Sequence, residues 1–407
     1  VAGAFKPHGI KAFVIAGGPH PTFFPEFVET EGIDAINIGE GELSMLELAD
    51  AVSRKQPVDE IRNLVIKTSE GIRRNPLRPQ VDINAMPLPD RSIYLAYDYF
   101  KGKDSQDFVV SRGCPYSCSF CFFHKWNEMY KDTSGFTPFR LKTIDRCMQE
   151  IQDMRSQARL PFVSYVDSTF NLDRAWTLEF LKRYRETVEI PFTMNLRPNL
   201  VDEEIISAVA RTGKCRIIRM GIEVGNESYR MNVLRKHVTN DQIRTAGELL
   251  RKYSIKLMTY NMYCLPGQTL EQALETVEIN QFLKPAAISS MIFHPYPGLD
   301  LTKYALEKGF LKLEDISKLE IREYKWFRSV MSQPELREVQ NLCLLSRVGV
   351  RYPKTVPLLK HLVRYPSNKA YDWVALAGLI EMAREYYDIS TWRVVQQHLI
   401  GDKSKMN

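Results

Sequence analysis

Apolar residues fall along this chain in two alternating rhythms. From about Phe108, short apolar runs alternate with longer stretches in which apolar positions recur every three or four residues. The runs are "DFVVSRG" (107–113), "PFVSYVD" (161–167), "PFTMNLR" (191–197), "CRIIRMGIE" (215–223), "IKLMTYNMYCL" (255–265) and "AAISSMIFHPY" (286–296). Between them lie "FRLKTIDRCMQEIQDMRSQ", "DRAWTLEFLKRYRET", "DEEIISAVARTG", "TNDQIRTAGELLRKY" and "TLEQALETVEINQFL". The runs predict strands and the intervening stretches predict amphipathic helices. Asp173, Asp202, Thr239 and Thr269 stand at the predicted helix starts, where a short polar side chain satisfies free backbone N–H groups. Strands alternating with helices in this way predict an α/β fold, a partial (β/α)6 TIM-like barrel over residues 106–310. In such barrels the chemistry sits at the carboxyl ends of the strands.

The flanks read differently. "KAFVIAGG" (11–18) and "IDAINIGEGE" (33–42) predict strands, and "FPEFVETEG" and "LSMLELADAV" predict helices. That is the rhythm of a doubly wound, flavodoxin-like sheet over residues 1–54. Two strands cannot make such a sheet alone, so its front part is expected to lie upstream of the sequence given. Residues 55–105 are less regular, and "NPLRPQVDINAMPLPDRS", with its four prolines, predicts an extended linker. Residues 311–407 lack strand alternation. "ELREVQNLCLLSRVG", "VPLLKHLVRY" and "DWVALAGLIEMAREYY" predict a helical C-terminal region that caps the barrel, or that also shapes a substrate pocket.

Composition narrows the function classes. The 407 residues are 44% hydrophobic and 26% charged, as in ordinary globular proteins. The net charge of +6 comes without a dense Lys/Arg stripe, so no nucleic-acid partner is expected. The apolar run "WVALAGLI" is far too short to span a bilayer, and no signal peptide is visible. Cys147, Cys215, Cys264 and Cys343 are scattered singly, which suits reduced thiols in a cytoplasmic protein.

The other three cysteines are concentrated. Cys114, Cys118 and Cys121 lie in "SRGCPYSCSFCFFHK" (111–125), just after the first barrel strand. Three thiols leave one unpaired, which argues against disulfides. A structural zinc wants four ligands, and His124 offers a fourth. The alternative is an iron–sulfur cluster, usually held by four thiolates, so that three leave one iron open to a small molecule carrying an amine and a carboxylate.

This spacing, C-x3-C-x2-C with aromatic Phe120 before the last cysteine, resembles the signature of the radical S-adenosylmethionine (SAM) superfamily. The resemblance implies that Cys114, Cys118 and Cys121 hold a 4Fe–4S cluster whose open iron chelates SAM, with Phe120 beside the adenosyl group. It also implies reductive cleavage of SAM to methionine and a 5′-deoxyadenosyl radical, with a flavodoxin or ferredoxin as reductant. It extends strand by strand over roughly residues 105–310. "SYVDSTFNLD" resembles the second-strand motif that receives the SAM amine, which nominates Asp167 and Ser168, against simple helix capping. In "MNLRPNLVDEE", Arg197 is placed to clamp a carboxylate, or else to pair with Asp202 or Glu203 at the surface. "MGIEVGNES" resembles the fourth-strand motif, with Glu223 facing the barrel mouth and binding SAM. "YNMYCLPGQTLEQ" resembles the segment that packs on adenine, where Gly267 permits close approach or merely makes a turn. In "FHPYPGLDL", His294 and Tyr296 are candidates to touch substrate, or are structural. "YKWF" (324–327) could line a pocket or belong to the cap core.

"VIAGGPHPT" followed by "DAINIGEGE" resembles the back part of a cobalamin-binding domain, as fused before many radical SAM enzymes, with Gly17 and Gly18 near the cofactor. Neither His8 nor His20 lies where such proteins carry a cobalt ligand. The resemblance implies a cobalamin-dependent methyltransferase acting on an unactivated centre of a small-molecule or natural-product-type substrate. Cyclisation, oxidation or rearrangement are the alternatives within the superfamily. A non-catalytic iron–sulfur or zinc protein is the alternative outside it. The longer protein is expected to bind cobalamin, and this chain to bind it weakly or not at all. Titration followed by visible absorbance checks this, and tight binding by the 407-residue chain would contradict it.

Overall fold

A computed structural model of the chain describes residues 12–97, 105–317, 328–366 and 369–387. They fall into two compact units. The first comprises the chain up to Pro87 together with Cys121–Arg140, and the second Leu88–Phe120 and the chain from Leu141 onward. Among the described residues, no helix is long and apolar enough to cross a membrane.

The first unit is built on a four-stranded sheet in the order β1 (Ile15–Ala16), β2 (Ala35–Asn37), β3 (Leu64–Thr68), β4 (Gly71–Arg74). β1 and β2 are parallel, as the strand–helix rhythm predicts, and the helix Glu42–Ser53 follows β2. The predicted helix at 24–32 is a short 3-10 turn, Pro25–Glu29, with Pro25 in its first turn. β3 and β4 fall inside the stretch read as an irregular linker and form an antiparallel hairpin that extends the sheet. Its signal, "LVIKT" running into "SEG", is a strand ending at a turn where Gly71 takes φ +121°. The prolines that suggested a linker all lie after it.

A knot of polar contacts closes this unit. The Glu40 carboxylate is nearly buried, pairs with Arg140 and accepts the Val81 N–H at 2.9 Å. The Glu40 N–H donates to the Tyr130 hydroxyl at 2.9 Å. Burial pushes that phenol up to about 12. Gly39, at φ +76°, lets the hydroxyl in, because a Cβ there would fall on it.

The second unit carries the predicted barrel strands. β5 (Gln106–Phe108), β6 (Val163–Tyr165), β7 (Phe192–Asn195), β8 (Cys215–Glu223), β9 (Leu257–Tyr263) and β10 (Ala287–Ile292) form one sheet in sequence order. Every pairing is parallel. Phe108, Tyr165, Met194, Ile218 and Leu257 lie opposite one another across five strands and are all buried against the helices. Period-two alternation then turns the other set of side chains toward the inner face. That set includes Asn195, Arg219, Gly221 and Glu223.

The four predicted caps are in place. Asp173, Asp202, Thr239 and Thr269 accept from Trp176, Ile205, Gln242 and Gln272, and the two threonines form full capping boxes. The first predicted helix begins later than its pattern suggests. Phe139–Leu141 is extended, and Thr143 caps a helix that starts at Ile144. The C-terminal segments form helices at Leu336–Arg351, Val356–Leu362 and Lys369–Tyr387.

Gly225 touches the backbone of the helix Leu270–Leu283, where a Cβ would coincide with the Glu275 carbonyl. Gly225→Ala should therefore lower stability by about 1–3 kcal/mol through overpacking. Thr239→Ala should cost about 1 kcal/mol as a lost cap. Urea unfolding of the two variants checks the order, and an unperturbed Gly225→Ala would contradict this packing.

Candidate functional site

The chain leaves β5 and is caught at once by a carboxylate from β6. Asp167 is 1% exposed. Its Oδ1 accepts from the Ser111 N–H at 2.7 Å, the Ser111 hydroxyl at 2.5 Å and the Val110 N–H at 3.0 Å. Its own carbonyl accepts from Asn195 Nδ2 at 2.7 Å. Burial pushes the carboxyl above the usual Asp range, and the bonds from Ser111 and Val110 oppose that rise. Asp167 thus acts on the backbone leading into the cysteines. Ser168 is exposed beside it and caps no helix, since Asp173 does that.

The cysteine loop follows. Cys114 and Cys118 are buried, and Cys121, half-buried, is the N-cap residue of the helix Phe122–Tyr130. No cysteine of the chain is in a disulfide. The Cys114 thiol lies 4.0 Å from the buried Thr169 hydroxyl. Burial pushes it up, while the Tyr116 N–H, Thr169 and the Arg197 charge oppose that shift. Ser119 anchors the loop. Its N–H and hydroxyl donate to the carbonyls of Leu234 and Val233 at 2.9 and 2.7 Å, and its carbonyl accepts from Leu301. Phe120 packs against an apolar cluster that includes Val224, Leu265 and Phe293. His124 pairs with Glu128 one turn along its own helix.

Among the described residues, no group of three or more His, Cys, Asp or Glu side chains is gathered as a single-ion site. A cubane makes a different demand, because each thiolate takes its own iron. Cys114 and Cys118, on the loop anchored by Ser119, are reduced thiols of the kind that demand asks for.

Arg197 makes no surface pair with Asp202 or Glu203. Asp202 is taken by Arg174, and Glu203 by Lys252 and Tyr253. The Arg197 guanidinium instead stacks on the ring of Tyr116, inside the cysteine loop, at 3.6 Å. It is 7% exposed, and its Nε and Nη2 are buried without a hydrogen-bond partner. Its backbone is fixed by Asn171, which accepts from the Arg197 N–H at 2.9 Å. The Oδ1 atoms of Asn195 and Asn199 are also buried and unpaired. Five residues at the end of β7 therefore hold two cationic N–H groups and two amide oxygens that are buried without a partner among the described residues. Asn195 and Arg197 share one face of an extended segment, a signal that period-two alternation offered and that was missed.

Glu223 ends β8 in a left-handed conformation, φ +67°, on a bulge against β9. Its Oε1 pairs with Lys236 Nζ at 2.8 Å, a partner that no local pattern pointed to. Gly267, at φ +72°, sits in a turn held by Gln333, which accepts from the Gly267 N–H and donates to the Leu265 carbonyl, both at 2.9 Å. A Cβ at Gly267 would lie 3.0 Å from Phe310. His294 stands with its ring 4.5 Å from that of Tyr296, and burial lowers its basicity. In the first unit, Gly17 and Gly18 are exposed after β1, with Gly18 at φ +102° and open space where a side chain would be. His8 and "YKWF" (324–327) lie outside the described residues.

Residues 108–279 match the model of the radical SAM superfamily. That segment, under half of the chain, resembles the radical SAM superfamily. The chain resembles an uncharacterized methyltransferase of Pyrococcus horikoshii, 28% identical over 310 residues, covering 74% of this chain and 64% of that protein. It also resembles the anaerobic magnesium-protoporphyrin IX monomethyl ester cyclase of Rubrivivax gelatinosus, 24% identical, covering 87% of this chain and 62% of that one. The chain thus spans just under two thirds of the length of these relatives. Its fold matches the cobalamin-dependent SAM radical enzyme OxsB, with TM-score 0.65 and 16% identity over 98% of this chain and 64% of that one. The radical SAM match begins at the last residue of β5 and takes in the cysteine loop, Asp167, Arg197, Glu223 and Gly267.

Asp167→Ala should leave the Val110 and Ser111 donors unmet, each at about 1–3 kcal/mol, and loosen the loop ahead of Cys114. Iron retained after anaerobic reconstitution should fall together with the unfolding temperature. Full iron and wild-type stability would refute this role.

Proposed function

We propose that this protein is a radical SAM enzyme whose cluster is held by Cys114, Cys118 and Cys121. In the whole protein it works with cobalamin as a methyltransferase on an unactivated centre. The observation that carries the reading is Arg197, a buried cation with unpaired N–H groups stacked into the cysteine loop. When bound, the cluster supplies the electron that cleaves SAM to methionine and a 5′-deoxyadenosyl radical.

The chain's own residues bind and orient SAM. Arg197 offers two N–H groups to the methionyl carboxylate, in the planar geometry that favours Arg over Lys. The Asn195 and Asn199 oxygens accept from its ammonium. An α-amino acid end, with one anionic and one cationic group, answers this donor and acceptor set. Glu223 takes a ribose hydroxyl, and Phe120 and the Gly267 turn border the adenosyl group. Asp167 holds the loop that leads into the cysteines, and Ser168 is exposed beside it. The exposed backbone at Gly17 and Gly18 is open to cobalamin. A flavodoxin or ferredoxin in the cytoplasm supplies the electron.

Likeness to the cyclase over 87% of this chain favours a second reading, radical oxidation or ring formation. Product analysis separates the two. S-adenosylhomocysteine with 5′-deoxyadenosine marks methylation, and 5′-deoxyadenosine alone marks the second reading.

Cys118→Ala should remove the reduced-cluster EPR signal and all SAM cleavage. Arg197→Met should keep its iron but weaken SAM binding about 10- to 100-fold, the loss of charge-assisted hydrogen bonds. Normal iron in the first variant, or unchanged SAM affinity in the second, would overturn the assignment.

A further inference from the structure

We infer that Lys236 is the positioning residue that sets the Glu223 carboxylate for SAM, an inference that rests on the SAM-binding role proposed for Glu223. The starting point is backbone conformation. Glu223 is a non-glycine residue at φ +67°, on a bulge where the β8–β9 register shifts between Gly221 and Glu223. Such a conformation persists only where the surroundings over-determine it, and it gathers at functional sites.

Lys236 is what over-determines it. Its ammonium donates to Glu223 Oε1 at 2.8 Å and to the Gly221 carbonyl at 2.6 Å, so it spans the bulge from both sides. The two side chains are 8% and 12% exposed, Lys236 the lower. Gly221 is part of the same device, because a Cβ there would meet both Glu223 Oε1 and Lys236 Nζ.

The chain delivers this lysine by a dedicated fold-back. Arg230, with no exposed surface, donates to the carbonyls of Val224 and Val238 at 2.6 and 2.8 Å and to Asn240 Oδ1 at 2.6 Å. It closes residues 224–240 into a loop. The Lys236 N–H donates to the Arg230 carbonyl at 3.0 Å, which fixes where the lysine leaves the loop. Burial lowers the Arg230 guanidinium to about 10, still above neutrality, so the staple stays charged.

The consequence for binding is geometric. With Oε1 committed to Lys236, Oε2 is the oxygen that receives no hydrogen bond from the described residues. The ammonium fixes the carboxylate's rotation and leaves Oε2 for a ligand hydroxyl. Lys236 itself does not touch SAM.

The test measures SAM affinity by equilibrium dialysis on the anaerobically reconstituted chain, with iron content and unfolding temperature as controls. Lys236→Met should weaken SAM binding about tenfold at unchanged iron. Lys236→Arg should restore most of it. Lys236→Gln, which keeps one neutral donor, should fall between and serves if the methionine variant does not fold. In a Glu223→Gln background, Lys236→Met should add no further loss, since two residues acting as one unit are not additive. If Glu223→Gln weakens SAM binding while folded Lys236→Met or Lys236→Gln binds as wild type, or if the two losses add in full, the role of Lys236 is wrong. If Glu223→Gln itself binds SAM normally, the reading of Glu223 fails and takes this inference with it.

Discussion

The geometry around the cysteines depends on one buried carboxylate. Asp167 reaches from the end of β6 to the two backbone N–H groups that follow β5, beside the Val166 N–H on the Phe108 carbonyl and the Lys142 N–H on the Val110 carbonyl. β5 is short and at the sheet edge, paired on one side only, so its exit is where a loop would otherwise drift. Three donors compensate for burying the charge, as any buried carboxylate requires. Asn195 then grips the Asp167 carbonyl, so strands β5, β6 and β7 share one polar seam at their carboxyl ends. Every residue proposed for SAM stands downstream of that seam or on it.

Beside the seam, Asp167, Ser119 and Arg230 differ from Arg197, Asn195 and Asn199 in how fully the protein meets their polar atoms. Asp167, Ser119 and Arg230 have their hydrogen bonds filled by the protein, and they shape loops. Arg197, Asn195 and Asn199 keep buried polar atoms unfilled within five residues. A folded protein tolerates such groups where something outside the chain completes them. The contrast assigns roles more sharply than residue type, since an arginine appears on both sides of it.

Much of this was legible in the sequence, for a physical reason. Strand periodicity, capping residues and cysteine spacing are local, and the six parallel strands and four caps follow from them. The β3–β4 hairpin was equally local, but nearby prolines drew the reading toward a linker. What stayed hidden was pairing across the chain. Asp167 meets residues 56 and 57 positions earlier, and Lys236 meets Glu223 through a loop closed by a buried arginine. That Asp202 and Glu203 pair with Arg174 and Lys252 instead of Arg197 is likewise a long-range fact, which no pattern around residue 197 carries.

The segment "GIEVG" brings these arguments together, because each residue in it answers to a different neighbour. Gly221 makes room for the Lys236–Glu223 pair, and Gly225 lets the strand end touch the backbone of the helix Leu270–Leu283. Ile222 and Val224 are buried in two separate clusters, one on the helix side of the barrel and one beside Phe120. The Gly225 N–H donates to the Thr276 hydroxyl at 2.9 Å, which pins the strand end to that helix. Glu223 is thus bracketed by two fixed glycines and two buried apolar anchors, which leaves its backbone little freedom. A side chain held that firmly, in a conformation unfavourable to it and with one oxygen bound to Lys236, suits the SAM-binding role proposed for it.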